Sequence, residues 1–171
     1  MIESTALEDR IRSALPDDVD YASARFVDER AEHLRVRRNQ LVPMFTQYDT
    51  GVMITIWNGG GLGYGATTDL SDNGLAAAVE RARYWADVTA GAMVTTAAPT
   101  SHAVGTYVSP VEVTWDTLPL NDRLELLQQQ SRLLGIDDRI VNWGASLVRR
   151  DVDQLLLTAS RSGDSGRIEQ R

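Results

Sequence analysis

The chain has 171 residues, 43% of them hydrophobic, with a formal net charge of −7 and a pI of about 4.8. That length supports one domain, or one domain with a smaller appendage, and can bury a substantial core. The acidic balance speaks against a duplex-binding module, whose affinity comes largely from neutralising phosphates, so no direct nucleic-acid partner is expected.

Every basic residue is an arginine. The missing lysine excludes a Schiff base and a phosphate-loop lysine on this chain. The missing cysteine excludes disulfides, thiolate metal sites and a cysteine nucleophile. The first fifteen residues, MIESTALEDRIRSAL, have early acids and no apolar signal-type segment. No run of 18 apolar residues could span a membrane, so a cytoplasmic location is the default expectation.

In chain order, a short helix comes first. Thr5 and Glu8 have capping-box spacing, and Leu7, Ile11 and Leu15 share one face. Pro16 and the acids Asp17, Asp18 and Asp20 end it. From residue 21 to 67 the apolar period becomes two: Leu34 and Val36 alternate with Arg35 and Arg37, and Val52, Ile54 and Ile56 with Met53, Thr55 and Trp57. Turn signals at Asn39–Gln40, 49–51 and 58–61 divide this stretch into a meander of four or five strands.

A second helix follows, capped by Ser71 or Asp72, with Leu75, Val79, Ala82 and Ala86 on its inner face and Gly91 as its stop. Residues 91–119 read as a long surface connection with one extended piece at 111–115. A third helix is predicted over 121–134, with Leu124, Leu127 and Leu134 inward and Gly135 ending it. Runs 139–148 and 152–159 read as two strands around a turn at 149–151, followed by a polar tail. Sheet first and helices after is the order of an α+β fold: an antiparallel meander sheet with packed helices.

Gly61-Leu-Gly63-Tyr-Gly65-Ala66 fits G-x-G-x-x-A, but a dinucleotide site needs those glycines between a strand and an immediately following helix. Here they begin and occupy a strand, so a hairpin with close packing explains them. Gly163-Asp164-Ser165-Gly166 matches the nucleophile motif of trypsin-like proteases, yet reads as a turn between strands. His33 stands among Asp28, Glu29 and Glu32, but His33 and Glu32 are neighbours on a strand and point to opposite faces. His102 lies in a loop without a nearby carboxylate. Arg35, Arg37 and Arg38, and also Arg149 and Arg150, read as ordinary surface charge beside flanking acids. Trp57, Tyr64, Tyr84 and Trp85 fit either a core or a partner surface. No catalytic and no metal-binding residue is assigned, and the substrate-contacting residues stay open.

The order of several soft motifs resembles the TldD/PmbA family of metallopeptidases. These are Asp20-Tyr21-Ala22 with strand 24–29, then Leu34-Arg-Val36-Arg-Arg-Asn39-Gln40. Next come Gly51-Val52, Gly63-Tyr-Gly65, Thr68-Asp69-Leu70-Ser71 and the alanine-rich helix ending near Ala86. Tyr107-Val-Ser109-Pro110-Val111 and Arg167-Ile168-Glu169-Gln170 also fit.

The resemblance implies an N-terminal α+β domain over residues 1–135, with 136–171 as a strand hairpin leading toward the family's C-terminal region. It implies zinc-dependent peptide hydrolysis by an HExxxH helix and a distant cysteine elsewhere, in the longer chain or in a catalytic subunit. Neither motif has a counterpart here. It further implies a homo- or hetero-oligomer with a TldD/PmbA-type subunit, enclosing a chamber where unfolded peptide is cut. Whether the subunit is of the catalytic TldD type or the non-catalytic PmbA/TldE type is not written in these residues. The rival reading is a stand-alone protein- or peptide-interaction module without enzymatic activity.

Overall fold

The computed structural model describes residues 5–94 and 102–171. Part of the expected 91–119 connection therefore lies outside the described residues. The elements are α1 (Thr5–Ala14), β1 (Tyr21–Arg37), β2 (Gln40–Leu41), β3 (Phe45–Asn58), β4 (Gly61–Thr67) and α2 (Asp72–Thr89). They continue with β5 (Val104–Tyr107), α3 (Leu120–Leu134), β6 (Gly144–Ala159) and β7 (Ser165–Gln170). The strands form one mixed sheet in the order β4-β3-β1-β6-β7-β5, with β2 paired to β1. The β1–β2, β3–β4 and β6–β7 pairs are antiparallel, whereas β5 joins β7 in parallel. The α+β class read from the sequence is the observed one.

The chain divides into two compact units. The first comprises Met1–Asp28, Asp49–Val108 and Val152–Arg171, and the second Glu29–Tyr48 and Ser109–Asp151.

The first unit is built around Ala22, Ala24 and Phe26 of β1, Val52, Ile54 and Ile56 of β3, and Leu155 and Leu157 of β6. These alternate residues face the buried sides of α1 (Ile11) and α2 (Leu75, Ala78, Val79, Ala82, Ala86), where apolar burial supplies the main driving force. The β3–β4 turn places Gly59 and Gly60 at φ +56° and +78°, as a two-residue hairpin of the primed type requires. Ser71 caps α2 by accepting a hydrogen bond from the Gly74 N–H at 3.2 Å, and Gly91 follows its end at φ +78°.

Helix α2 lies unusually close to β4. A Cβ built on Gly61, Gly63 or Gly65 would overlap the backbone of Ala86, Ala82 or Ala78 respectively. Two strand residues advance about 6.7 Å and four helix residues about 6 Å, so the glycine and alanine series stay in step. The glycines of the sequence motif therefore serve packing. Leu62 completes the contact, its N–H donating to Thr89 Oγ1 at 2.8 Å.

The second unit has a smaller core of Leu34, Val36 and Leu127, with Trp115, Leu124, Ala145 and Leu147 against it.

Four local expectations are corrected. No turn occurs at 49–51: β3 runs unbroken, and Thr50 Oγ1 donates to Asp28 at 2.6 Å. No turn occurs at 149–151 either, because β6 is one strand of 16 residues. Its hairpin partner is β7, formed from the segment read as a polar tail. The extended piece expected at 111–115 is found instead at β5, while Trp115–Thr117 is a single turn of 3₁₀ helix. Leu134 is exposed, and Arg123 and Ser131 take buried places on α3 beside Leu127.

Candidate functional site

The residues singled out from the sequence do not converge. Glu32 and His33 do point apart, as neighbours on a strand must. Glu32 Oε2 accepts a hydrogen bond from Trp115 Nε1 at 2.9 Å and lies 3.5 Å from Arg123 Nη1. His33 stacks on Phe45 with ring centroids 4.5 Å apart. Glu29 pairs with Arg150 at 3.6 Å. Among the described residues, no group of three or more histidine, aspartate or glutamate side chains is arranged to hold a metal ion.

His102 hydrogen-bonds through Nδ1 to Thr158 Oγ1 at 2.8 Å and its ring lies 5.7 Å from that of Tyr21. Ser165 opens β7 opposite Ala159, Gly163 turns the chain at φ +86°, and the Asp164 carboxylate accepts from Ser162 at 2.6 Å. That is the turn the sequence implied, and it carries no nucleophile–base pair.

Trp57 is buried, whereas Met53 and Tyr64 are exposed on the sheet face away from α2. Tyr84 and Trp85 form an edge-to-face pair on the outside of α2, at 5.4 Å.

Two clefts stand out. In the first unit, one of about 570 Å³ is lined by Arg25, Val27, Asp49, Val52, Met53 and Thr67, among others. In the second unit, one of about 660 Å³ is lined by His33, Arg35, Arg37, Phe45, Asn142 and Trp143. Arg37 Nε donates to Asn142 Oδ1 at 2.9 Å.

Sequence reasoning missed the Glu32–Trp115–Arg123 cluster, in which Arg123 is buried and the other two are half-buried. The signal was present: Arg123, Leu127 and Ser131 are spaced at i, i+4 and i+8 along one helix face. Tallying apolar residues alone passes over the two polar members.

The architecture defines a mixed α+β domain with a helix-covered glycine hairpin. Residues 22–86, from β1 to α2, match the family model described as PmbA/TldA metallopeptidase domain 1. Over those residues the chain is similar to the first domain of that family, the same resemblance that its motif order carries.

The fold recurs in solved structures. A candidate modulator of DNA gyrase from Bacteroides thetaiotaomicron superposes with a TM-score of 0.63 at 17% identity, covering 99% of this chain and 39% of that one. TldE from Thermococcus kodakarensis gives 0.63 at 16% identity, covering 97% and 37%. A candidate DNA gyrase modulator from Thermotoga maritima gives 0.54 at 12% identity, covering 95% and 37%. The chain thus spans less than two fifths of each of these proteins. No curated protein sequence matches it significantly.

Proposed function

We propose that this chain is the non-catalytic N-terminal domain of a TldD/PmbA-type metallopeptidase subunit, acting in the cytoplasm. In that role it helps to wall a chamber for unfolded peptide and contributes contacts to a second subunit, alike or different. The observation that carries the reading is the family match from β1 to α2, set within a fold shared over nearly the whole chain with much longer proteins.

On this reading residues 1–135 form the domain and 136–171 lead toward the family's C-terminal region. Catalysis belongs to a different region or to a partner subunit, where histidines would hold zinc and a glutamate would activate water. No catalytic or metal-binding residue is assigned to this chain. The modulation of DNA gyrase named for two similar structures is then indirect, through proteolysis of a protein partner. The net charge of −7 supports that preference.

The test is to read the parent gene past the codon for Arg171 and to express what it encodes. A continuation into an HExxxH segment, or co-purification with a subunit that carries one, is the expected result. The isolated chain should hold no stoichiometric zinc after dialysis, and a tightly held equivalent would sink the reading. A stand-alone interaction module is the second reading, favoured by the exposed Met53 and Tyr64 on the sheet face that α2 does not cover. A stop codon after Arg171 together with peptidase-independent partner binding would select it.

A further inference from the structure

Arginines in this acidic chain are generally held by carboxylates. Arg10 meets Asp72, Arg83 meets Asp18, Arg139 meets Asp137, and Arg149 meets both Asp116 and Asp151. Arg35, Arg37 and Arg38, like the scattered Arg25, Arg30, Arg81 and Arg132, form no ion pair with a carboxylate among the described residues, but these three lie together in one run of sequence. The acids close to them in sequence are engaged elsewhere, Glu32 with Trp115 and Arg123, and Glu29 with Arg150.

Three features make this more than a patch of exposed charge. His33, Arg35 and Arg37 occupy one face of β1, because Leu34 and Val36 between them are turned into the core. All three line the cleft of about 660 Å³, whose walls include Phe45 and Trp143 and contain no aspartate or glutamate. A smaller cleft of about 590 Å³ shares Arg37, adds Arg38, and also lacks an acid. Finally, Arg37 is oriented in advance. Its Nε donates to Asn142, which leaves both terminal nitrogens of the guanidinium to face a ligand as a fork.

We propose that this face of β1 binds an extended, acidic polypeptide segment. Alternate residues of a strand repeat every 6.6–6.8 Å or so, and the same interval separates alternate side chains of an extended ligand. Carboxylates at every second position would therefore meet Arg35 and Arg37 in turn. A lone phosphate fits less well, because side chains at i and i+2 of a strand stand in parallel and do not converge on one point. Phe45, Pro43 and Trp143 offer apolar surface for the stems of glutamate side chains.

The test is fluorescence anisotropy of the full chain with a labelled peptide of alternating glutamate and alanine. Saturable binding that weakens as sodium chloride is added is expected. The Arg35→Gln/Arg37→Gln double substitution should lower affinity about tenfold or more, since two charge-assisted contacts are lost. Arg132→Gln removes one positive charge from an exposed site on α3 and should change affinity less than about twofold. Ser146→Glu, which sets a carboxylate in the cleft wall without touching the arginines, should also weaken binding. Circular dichroism and a thermal melt confirm that each variant is folded. Absence of saturable peptide binding, an equal loss in Arg132→Gln, or binding of inorganic phosphate without the peptide would each overturn the proposal.

Discussion

Gly63 lies so close to Ala82 that a methyl group on its α-carbon would overlap the Ala82 carbonyl oxygen. The same holds for Gly61 against Ala86 and Gly65 against Ala78, so the strand and the helix touch backbone to backbone. Gly63→Ala must push α2 off β4 along its length. A loss of about 3 kcal/mol is expected, at the upper end for overpacking a core. Gly59→Ala is the comparison, because a Cβ there has no neighbour within 4 Å and meets only the cost of φ +56°. That cost is about 1 kcal/mol. Urea midpoints separate the two. Equal losses would mean that backbone freedom, and not close approach, explains the glycines of β4.

Arg123 is the most exacting residue of the second unit. Its side chain is 10% exposed, its Nε and Nη1 have no hydrogen-bond partner, and its guanidinium lies 4.7 Å from the Trp115 ring centroid. Glu32 supplies the counter-charge and at the same time accepts from the Trp115 indole. Glu32→Ala should cost about 3 kcal/mol, because it strands a buried cation. Arg123→Met leaves Glu32, but that carboxylate is 24% exposed and keeps the Trp115 hydrogen bond, so this change should cost less than Glu32→Ala. Chemical denaturation of both variants decides it: if Glu32→Ala is the milder change, the ion pair does not hold this core together.

Helix α3 also shows how far the sequence can be read. Its apolar spacing predicts the helix, but a period names a face and not which turns of that face meet a neighbour. Leu127 is 4% exposed and packs on Leu34 and Val36, whereas Leu134 is 45% exposed. Leu127→Ala should therefore cost about 3 kcal/mol. Leu134→Ala should stay within about 0.5 kcal/mol. Reversal of that order in thermal unfolding would restore the sequence-based assignment of Leu134 to the core.

Features set by local geometry were legible: the Gly59–Gly60 hairpin and the Ser71 cap need only their own neighbours. Removing the cap by Ser71→Ala is expected to cost about 1 kcal/mol, visible as a lower melting temperature. The false turns at 49–51 and 149–151 failed for a tertiary reason. Polar residues there stay within strands because distant side chains satisfy them, Thr50 on Asp28 and Arg149 on Asp116. The parallel strand β5 was hidden too, since four exposed residues have no pattern until β7 lies beside them. The basic run at Arg35–Arg38 is plain in the sequence. That no carboxylate answers it is a property of the fold alone.

Glu8 joins α1 to β7, and this makes the first unit sensitive to acid. Arg167 Nε donates to both of its carboxylate oxygens, at 2.9 and 3.0 Å, and Arg12 adds a bond of 3.0 Å. The Arg167 guanidinium chiefly holds the Glu8 carboxyl below its ordinary value of 4.5, with Arg12 assisting against the opposing effect of burial. Glu169 is lowered in the same way by Arg171 and Arg167. A carboxylate whose pKa is depressed on folding stays ionised while the unfolded chain already takes up protons. Its stabilisation is thus fully present above pH 4.5 and is lost as the pH falls through the folded-state value. Glu8→Gln should lower the urea midpoint at neutral pH and flatten its fall below pH 4.5, the two curves converging in acid. Some slope should persist, since Glu169 and the exposed Asp18 and Asp137 are also lowered by neighbouring arginines. Parallel curves for the variant and the parent protein would remove Glu8 from the acid response and leave Arg167 to Glu169 alone.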